Sequence, residues 1–211
     1  MTTFVLIPGA GSGPGYWQPL EEEIAKRGHR TIAVDLPCDD DAAGLAEYAD
    51  AVVAAIGDRR SIVLVAHSFG GFTGPLVADR IPVDLLVMLS AMVPAPGERP
   101  AAWWANTGHG RAFREHAERP GIDPADEAAV YYNGCSPAQV AVAEAAARGQ
   151  SATPMDASWP LAAWPKVPTR FLLCRDDRFF PAPFMRRVVR DRLGIGPDEM
   201  PGGHMAMLSH P

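Results

Sequence analysis

The chain has 211 residues, 47% of them hydrophobic and 21% charged, with a formal net charge of −6, which suits one soluble domain with a sizeable core and excludes the concentrated basic patch of a nucleic-acid or anionic-membrane surface. The N-terminus lacks the basic start and apolar stretch of a signal peptide, and no segment approaches the ~20 apolar residues that span a bilayer, so a cytoplasmic protein with no membrane partner is expected. Cys38, Cys135 and Cys174 are odd in number and far apart, fitting neither a disulfide framework nor a zinc spacing, and no metal or cofactor is expected.

Residues 4–7 form a short apolar run stopped by Pro8 and Gly9, which predicts a buried strand running into the glycine-rich loop PGAGSGPG. Trp17, Leu20 and Ile24 then recur at helical steps, with Glu21 to Glu23 in the early turns and Gly28 as the stop. A second strand is expected over 31–36. Leu45, Tyr48, Val52 and Ile56 carry helical periodicity that closes at Gly57. Residues 61–66 read as a buried strand, residues 71–80 as a helix and residues 83–89 as another apolar strand. This alternation, with strands apolar on both faces, predicts a parallel sheet with helices on either side.

The alternation breaks at VPAPGERP. Residues 94–168 are rich in Pro, Ala, Trp and Tyr, with a helical candidate at 138–148 and no convincing strand, and are expected to be an inserted cap within a single domain spanning 1–211. A long unstructured connection is the rival, uncommon in compact domains unless it serves as a lid. The sheet resumes at 169–174, a helix follows at 182–193 with RRVVR as its solvated face, and a short strand near 199–201 leads to Gly202, Gly203 and His204.

The stretch VLVAHSFGG concentrates the chemistry. A strand, a lone serine, two glycines and a helix make a tight turn that displays the Ser68 hydroxyl at the carboxyl end of the strand, in a variant of G-x-S-x-G whose first glycine is Ala66. A serine hydroxyl needs a base within reach and a third group to orient that base. Of six histidines, His29 sits in a turn, His109 and His116 lie in the cap, and His210 is almost terminal. His67 adjoins the serine but points the other way from the strand end, which leaves His204. For the acid, Asp176 and Asp177 both follow a buried strand. The oxyanion needs backbone donors: the N–H of Phe69 is one, and the loop at Gly9, Ala10 and Gly11 supplies the other. A phosphate-binding role for that loop is weaker, because its GxGxxG is interrupted by proline and no GK[ST] follows.

LIPGAGSGPGYW, VAHSFGG, LLCRDDRFFP and GGHMAML together resemble the α/β-hydrolase superfamily, in the branch of methylesterases, hydroxynitrile lyases and bacterial carboxylesterases. The resemblance runs over nearly the whole chain outside the cap. It implies the α/β-hydrolase fold and a serine hydrolase acting on a small, fairly apolar carboxylic ester through an acyl-enzyme, with Ser68, Asp177 and His204 as catalytic residues. Asp177 is selected because the family's acid commonly precedes a proline by four residues. Ala10 and Phe69 are implied as oxyanion donors, with Pro8 standing where methylesterases carry histidine. The lyases' threonine and lysine positions are Gly9 and Met205 here, both departures favouring ester hydrolysis. Met205 falls where related esterases line the acyl pocket, and Gly9, Trp103, Trp104, Tyr131 and Tyr132 are further expected substrate contacts.

Lactone or amide hydrolysis, hydroxynitrile cleavage, or a ligand-binding receptor or pseudoenzyme on the same scaffold, are the alternatives. Family members usually continue through a final helix after the histidine, whereas this chain runs seven residues past His204, so a minimal terminal helix or a shortened chain is expected.

Overall fold

Strand β1 (Thr3–Ile7) lies second from one edge of a six-stranded sheet whose order is β2-β1-β3-β4-β5-β6. This arrangement is seen in a computed structural model that describes residues 1–118, 123 and 125–211. The other strands are β2 (Arg30–Ala33), β3 (Ile62–His67), β4 (Leu85–Leu89), β5 (Thr169–Cys174) and β6 (Asp198–Met200). Every pairing is parallel, with Val5 opposite both Ile32 and Leu64. β3 is buried along its whole length, which is why its sequence is continuously apolar rather than alternating. β2 is shorter than expected, ending at Ala33. The next residue, Val34, still donates its N–H to Leu6 at 3.0 Å.

Helices cover both faces. A 3-10 turn (Pro14–Trp17) enters α1 (Gln18–Lys26). In α2 (Leu45–Ile56), Leu45, Tyr48, Val52 and Ile56 are buried, and Gly57 ends the helix with a φ of 56°, a left-handed value that glycine adopts without steric cost. A second 3-10 turn (Ser68–Phe72) precedes α3 (Gly74–Arg80). Between β4 and β5 run α4 (Pro100–Thr107), α5 (His109–Ala117), α6 (Glu127–Tyr131), α7 (Pro137–Ala145) and α8 (Thr153–Asp156). No strand occurs among the described residues of that stretch. α9 (Ala182–Leu193) buries Phe184, Met185, Val188 and Val189 while Arg187 and Arg190 face solvent. α10 (Ala206–Ser209) is a single turn with Met207 and Leu208 buried, packed on α1. No helix among the described residues is long and apolar enough to cross a membrane.

Two close approaches fix the centre of the sheet. A Cβ at Gly70 would stand 2.7 Å from the Pro8 carbonyl oxygen, and one at Gly71 would stand 2.0 Å from that of Met92. The turn after β3 is thereby pressed between the chain leaving β1 and the chain leaving β4. The Met92 N–H also donates to the Ser68 carbonyl at 2.9 Å.

An ion pair buried at its Glu98 end ties the chain after β4 to α9. Arg192 forks onto Glu98, Nη2 donating to Oε1 at 2.8 Å, and the Ala95 N–H and Asn106 amide also donate to that carboxylate. Burial alone would raise the Glu98 carboxyl, but these donors outweigh it and hold the group below the usual range.

Gly71→Ala is expected to lower unfolding free energy by about 3 kcal/mol, read from denaturant melts, because the added methyl meets fixed backbone. Unchanged stability would show that the turn can move away from Met92. Glu98→Ala should cost about 3–5 kcal/mol at neutral pH by stranding Arg192. A carboxyl depressed in the folded state stabilises above its unfolded pKa and loses that contribution as pH falls through its folded one. The gap between wild type and variant should therefore narrow in urea melts as the pH falls below the ordinary glutamate range.

Candidate active site

The site forms where the sheet order reverses. β1 is flanked by β2 on one side and β3 on the other, so the loops leaving the carboxyl ends of β1 and β3 diverge and open a crevice between them. Ser68 stands at the end of β3 with a φ of 51°, one of few residues other than glycine with positive φ among the described residues. That left-handed conformation is strained for a side-chain-bearing residue. It is held by the contacts of Gly70 and Gly71 described above, and it turns the hydroxyl up into the crevice.

His204 reaches the serine from the loop after β6, with Nε2 3.1 Å from Ser68 Oγ and Nδ1 2.8 Å from Asp177 Oδ2. A carboxylate only accepts, so Nδ1 carries the proton, and the bare Nε2 faces the serine hydroxyl. Asp177 Oδ1 accepts the N–H groups of Phe179 and Phe180 at 2.9 and 2.8 Å. Asp177 and His204 are 1% and 2% exposed, which removes competing water from the chain of hydrogen bonds. Asp176, the other candidate acid, does something different. Its Oδ2 accepts the Gly202 N–H at 2.9 Å and its own N–H donates to the Gly202 carbonyl, bracing the acid loop against the histidine loop.

A cavity of about 540 Å³ opens over Ser68. Gly9, Ala10, Phe69 and Met205 line it, as do Trp104, Tyr131 and Tyr132. Phe69 lies in the 3-10 turn Ser68–Phe72, whose first N–H groups have no partner within the turn. A Cβ on Gly9 would lie 3.0 Å from Ser68 Cβ and 3.3 Å from His67 Nδ1, so glycine lets the loop after β1 lie against the serine. The loop is also held from outside. Gly11 donates its N–H to Gln150 Oε1 at 2.9 Å and accepts the Arg148 N–H, while Gly13 donates to Ala146.

Trp103 does not reach the cavity. Successive residues of α4 face different ways, and Trp103 points into the core, fully buried, with Nε1 donating to the Val93 carbonyl at 2.9 Å. Trp104 takes the outward place. Phe179, Met92 and Met155 line the cavity without having been singled out from sequence. Phe179 had a signal available, since it stands two residues past the acid. The two methionines had none, because their approach is set by long-range packing.

His67 is buried and engaged away from the serine, with Nδ1 3.1 Å from the Tyr16 hydroxyl and Nε2 3.0 Å from the His204 carbonyl. His109, in α5, has Nε2 2.8 Å from the Phe179 carbonyl, and burial lowers its basicity. Neither histidine competes for the serine. No cluster of residues suited to a metal ion occurs among the described residues.

The chain is similar to known proteins in sequence and fold. The chain is 25% identical over 244 residues to polyneuridine aldehyde esterase of Rauvolfia serpentina, covering 99% of this chain and 90% of that protein. It is 25% identical over 241 residues to norfluorocurarine synthase 1 of a Strychnos species, with the same coverage. Methylesterase 3 of Arabidopsis thaliana is 27% identical over 113 residues, 47% of this chain and 43% of that one. The crystal structure of polyneuridine aldehyde esterase superposes with a TM-score of 0.77 at 23% identity, covering all of this chain and 95% of that one, which shows the shared fold. The sequence profile of the alpha/beta hydrolase family matches residues 4–211, and the chain belongs to that family.

Proposed function

We propose that this chain, a carboxylic ester hydrolase by its relatives, cleaves small, fairly apolar esters through an acyl-enzyme on Ser68. The observation that carries the reading is the unbroken hydrogen-bonded chain from Ser68 through His204 to Asp177, opening on the cavity over the turn after β3. Ser68 Oγ attacks the ester carbonyl carbon as its proton passes to His204 Nε2. The carbonyl oxygen becomes an oxyanion that accepts the backbone N–H groups of Ala10 and Phe69. Asp177 keeps the imidazole oriented and stabilises its charged form. The tetrahedral intermediate collapses, the alcohol leaves with the proton from His204, and a water molecule, deprotonated by the same nitrogen, releases the carboxylic acid and restores Ser68.

The cavity's lining supports an apolar substrate, since Met92, Trp104, Tyr131, Met155, Phe179 and Met205 outweigh its polar edges. Residues 94–168 act as the cap that shapes it, Trp104 and Tyr131 coming from α4 and α6. Gly9 places no side-chain hydroxyl over the serine, and Met205 places no cation beside His204. Both favour hydrolysis over cyanohydrin cleavage.

Ser68→Ala is expected to lower kcat by at least about 10⁴-fold on activated esters and to abolish fluorophosphonate labelling, with the circular dichroism spectrum unchanged. A folded wild-type protein that neither labels nor turns over any activated ester, yet binds an apolar ligand tightly, would make it a receptor instead. Asp177→Asn should lower kcat by about 10⁴-fold, because an amide no longer enforces the Nδ1–H tautomer of His204. A loss of less than ten-fold, measured the same way, would remove Asp177 from the role of orienting acid.

A further inference from the structure

A single buried path links the loop after β1 to the loop carrying His204. The Gly9 N–H donates to the Tyr16 hydroxyl oxygen at 3.0 Å, the Tyr16 oxygen lies 3.1 Å from His67 Nδ1, and His67 Nε2 lies 3.0 Å from the His204 carbonyl oxygen. Tyr16 is 1% and His67 3% exposed. Donor and acceptor roles follow from the ends inward. A carbonyl can only accept, so His67 Nε2 carries a proton. Burial, and then the neighbouring His204, push the His67 imidazole well below its ordinary pKa, so it is neutral and Nδ1 is bare. The Tyr16 hydroxyl, which burial holds far above its ordinary pKa, donates to that nitrogen while accepting from Gly9.

We propose that Tyr16 and His67 are positioning residues for the ester hydrolysis, a rigid strut that sets the oxyanion loop at Gly9 and the backbone of His204 at a fixed separation across Ser68. The proposal rests on the reading of Ser68 as nucleophile. Its physical ground is that both ends of the strut are backbone groups flanking reacting atoms. Gly9 immediately precedes Ala10, the proposed oxyanion donor, and the His204 carbonyl belongs to the residue whose Nε2 takes the serine proton. The two imidazole rings lie 4.8 Å apart between centroids, so a charged His67 would oppose the imidazolium that forms on His204. Donation by Tyr16 into Nδ1 favours the neutral ring. Trp17 packs on both members, stacked on Tyr16 at 4.8 Å and edge-on to His67 at 6.1 Å between centroids, and holds the two rings together.

The Tyr16→Phe variant removes only the hydroxyl, leaving the Gly9 N–H and His67 Nδ1 without their partner. With a p-nitrophenyl ester, kcat is expected to fall about ten-fold or more while KM stays within about two-fold, since a sub-ångström loosening of reacting groups costs rate rather than ground-state binding. His67→Gln, which keeps an amide N–H toward the His204 carbonyl, should retain more kcat than His67→Phe. The structural arm is independent of turnover. In ¹⁵N-histidine-labelled wild type, assigned through His67→Gln, the His67 resonances should report a protonated Nε2 and a hydrogen-bonded, unprotonated Nδ1, and the Nδ1 signal should move to its free value in Tyr16→Phe.

The proposal is overturned if Tyr16→Phe keeps wild-type kcat, if its loss lies in KM, or if His67 carries its proton on Nδ1. A wild-type protein that hydrolyses no ester would fail the ester reading instead, and the ¹⁵N resonances would then decide the strut alone. A variant that does not fold leaves the wild-type resonances as the deciding measurement.

Discussion

The backbone at Gly70 and Gly71 runs so close to the carbonyls of Ile7, Pro8 and Met92 that no side chain fits between them, and the placement of Ser68 follows from that contact. Three strand ends meet there: β3 delivers the serine, β1 the Gly9 loop, and β4 the chain that donates from Met92 to the Ser68 carbonyl. The positive φ of Ser68 costs conformational energy that the chain alone would not sustain. It persists because relaxing it would drive backbone into backbone on both sides.

The histidine and acid loops are supported by hydrogen bonds both between elements and within the acid loop itself. Asp176 reaches Gly202, His67 reaches the His204 carbonyl, and Asp177 is filled on one oxygen by Phe179 and Phe180 so that the other is left for the imidazole. The side-chain nitrogens and oxygens of His67, Asp177 and His204, taken out of water here, each have a partner, as burial requires. A hydroxyl, an imidazole and a carboxylate arranged this tightly would be costly in an unpartnered setting. Their geometry is therefore a property of the whole carboxyl edge of the sheet.

Much of this was legible in the chain. Strands announce themselves by continuous apolar runs, and the run ending at His67 with Ser68, Gly70 and Gly71 after it gives both strand and turn, because close backbone approach demands those glycines. His204 could be found by elimination, since His29 sits in a turn, His67 at a strand end pointing away from the serine, His109 and His116 in the stretch between β4 and β5, and His210 near the end. What stayed hidden was set by partners far along the sequence. Asp176 and Asp177 are chemically alike and adjacent, so the residues alone leave both open, and apart from the family's acid-to-proline spacing it is the approach of the loop after β6 that separates their contacts. Trp103 and Trp104 differ in which face of α4 meets the core, a question of packing that a short helix with weak periodicity leaves open. Tyr16 reads as an aromatic beside a helix start, and its hydroxyl gains meaning only when the turn at residues 14–17 folds back onto β3.

Ester hydrolysis by this site requires that Ser68 become acylated during turnover. Rapid quench of the protein with an activated ester at low pH, followed by intact-mass and peptide mass spectrometry, tests it directly. One acyl group per chain is expected, on the peptide containing Ser68. Turnover with no adduct, or with the acyl group on another residue such as Cys135, would contradict it.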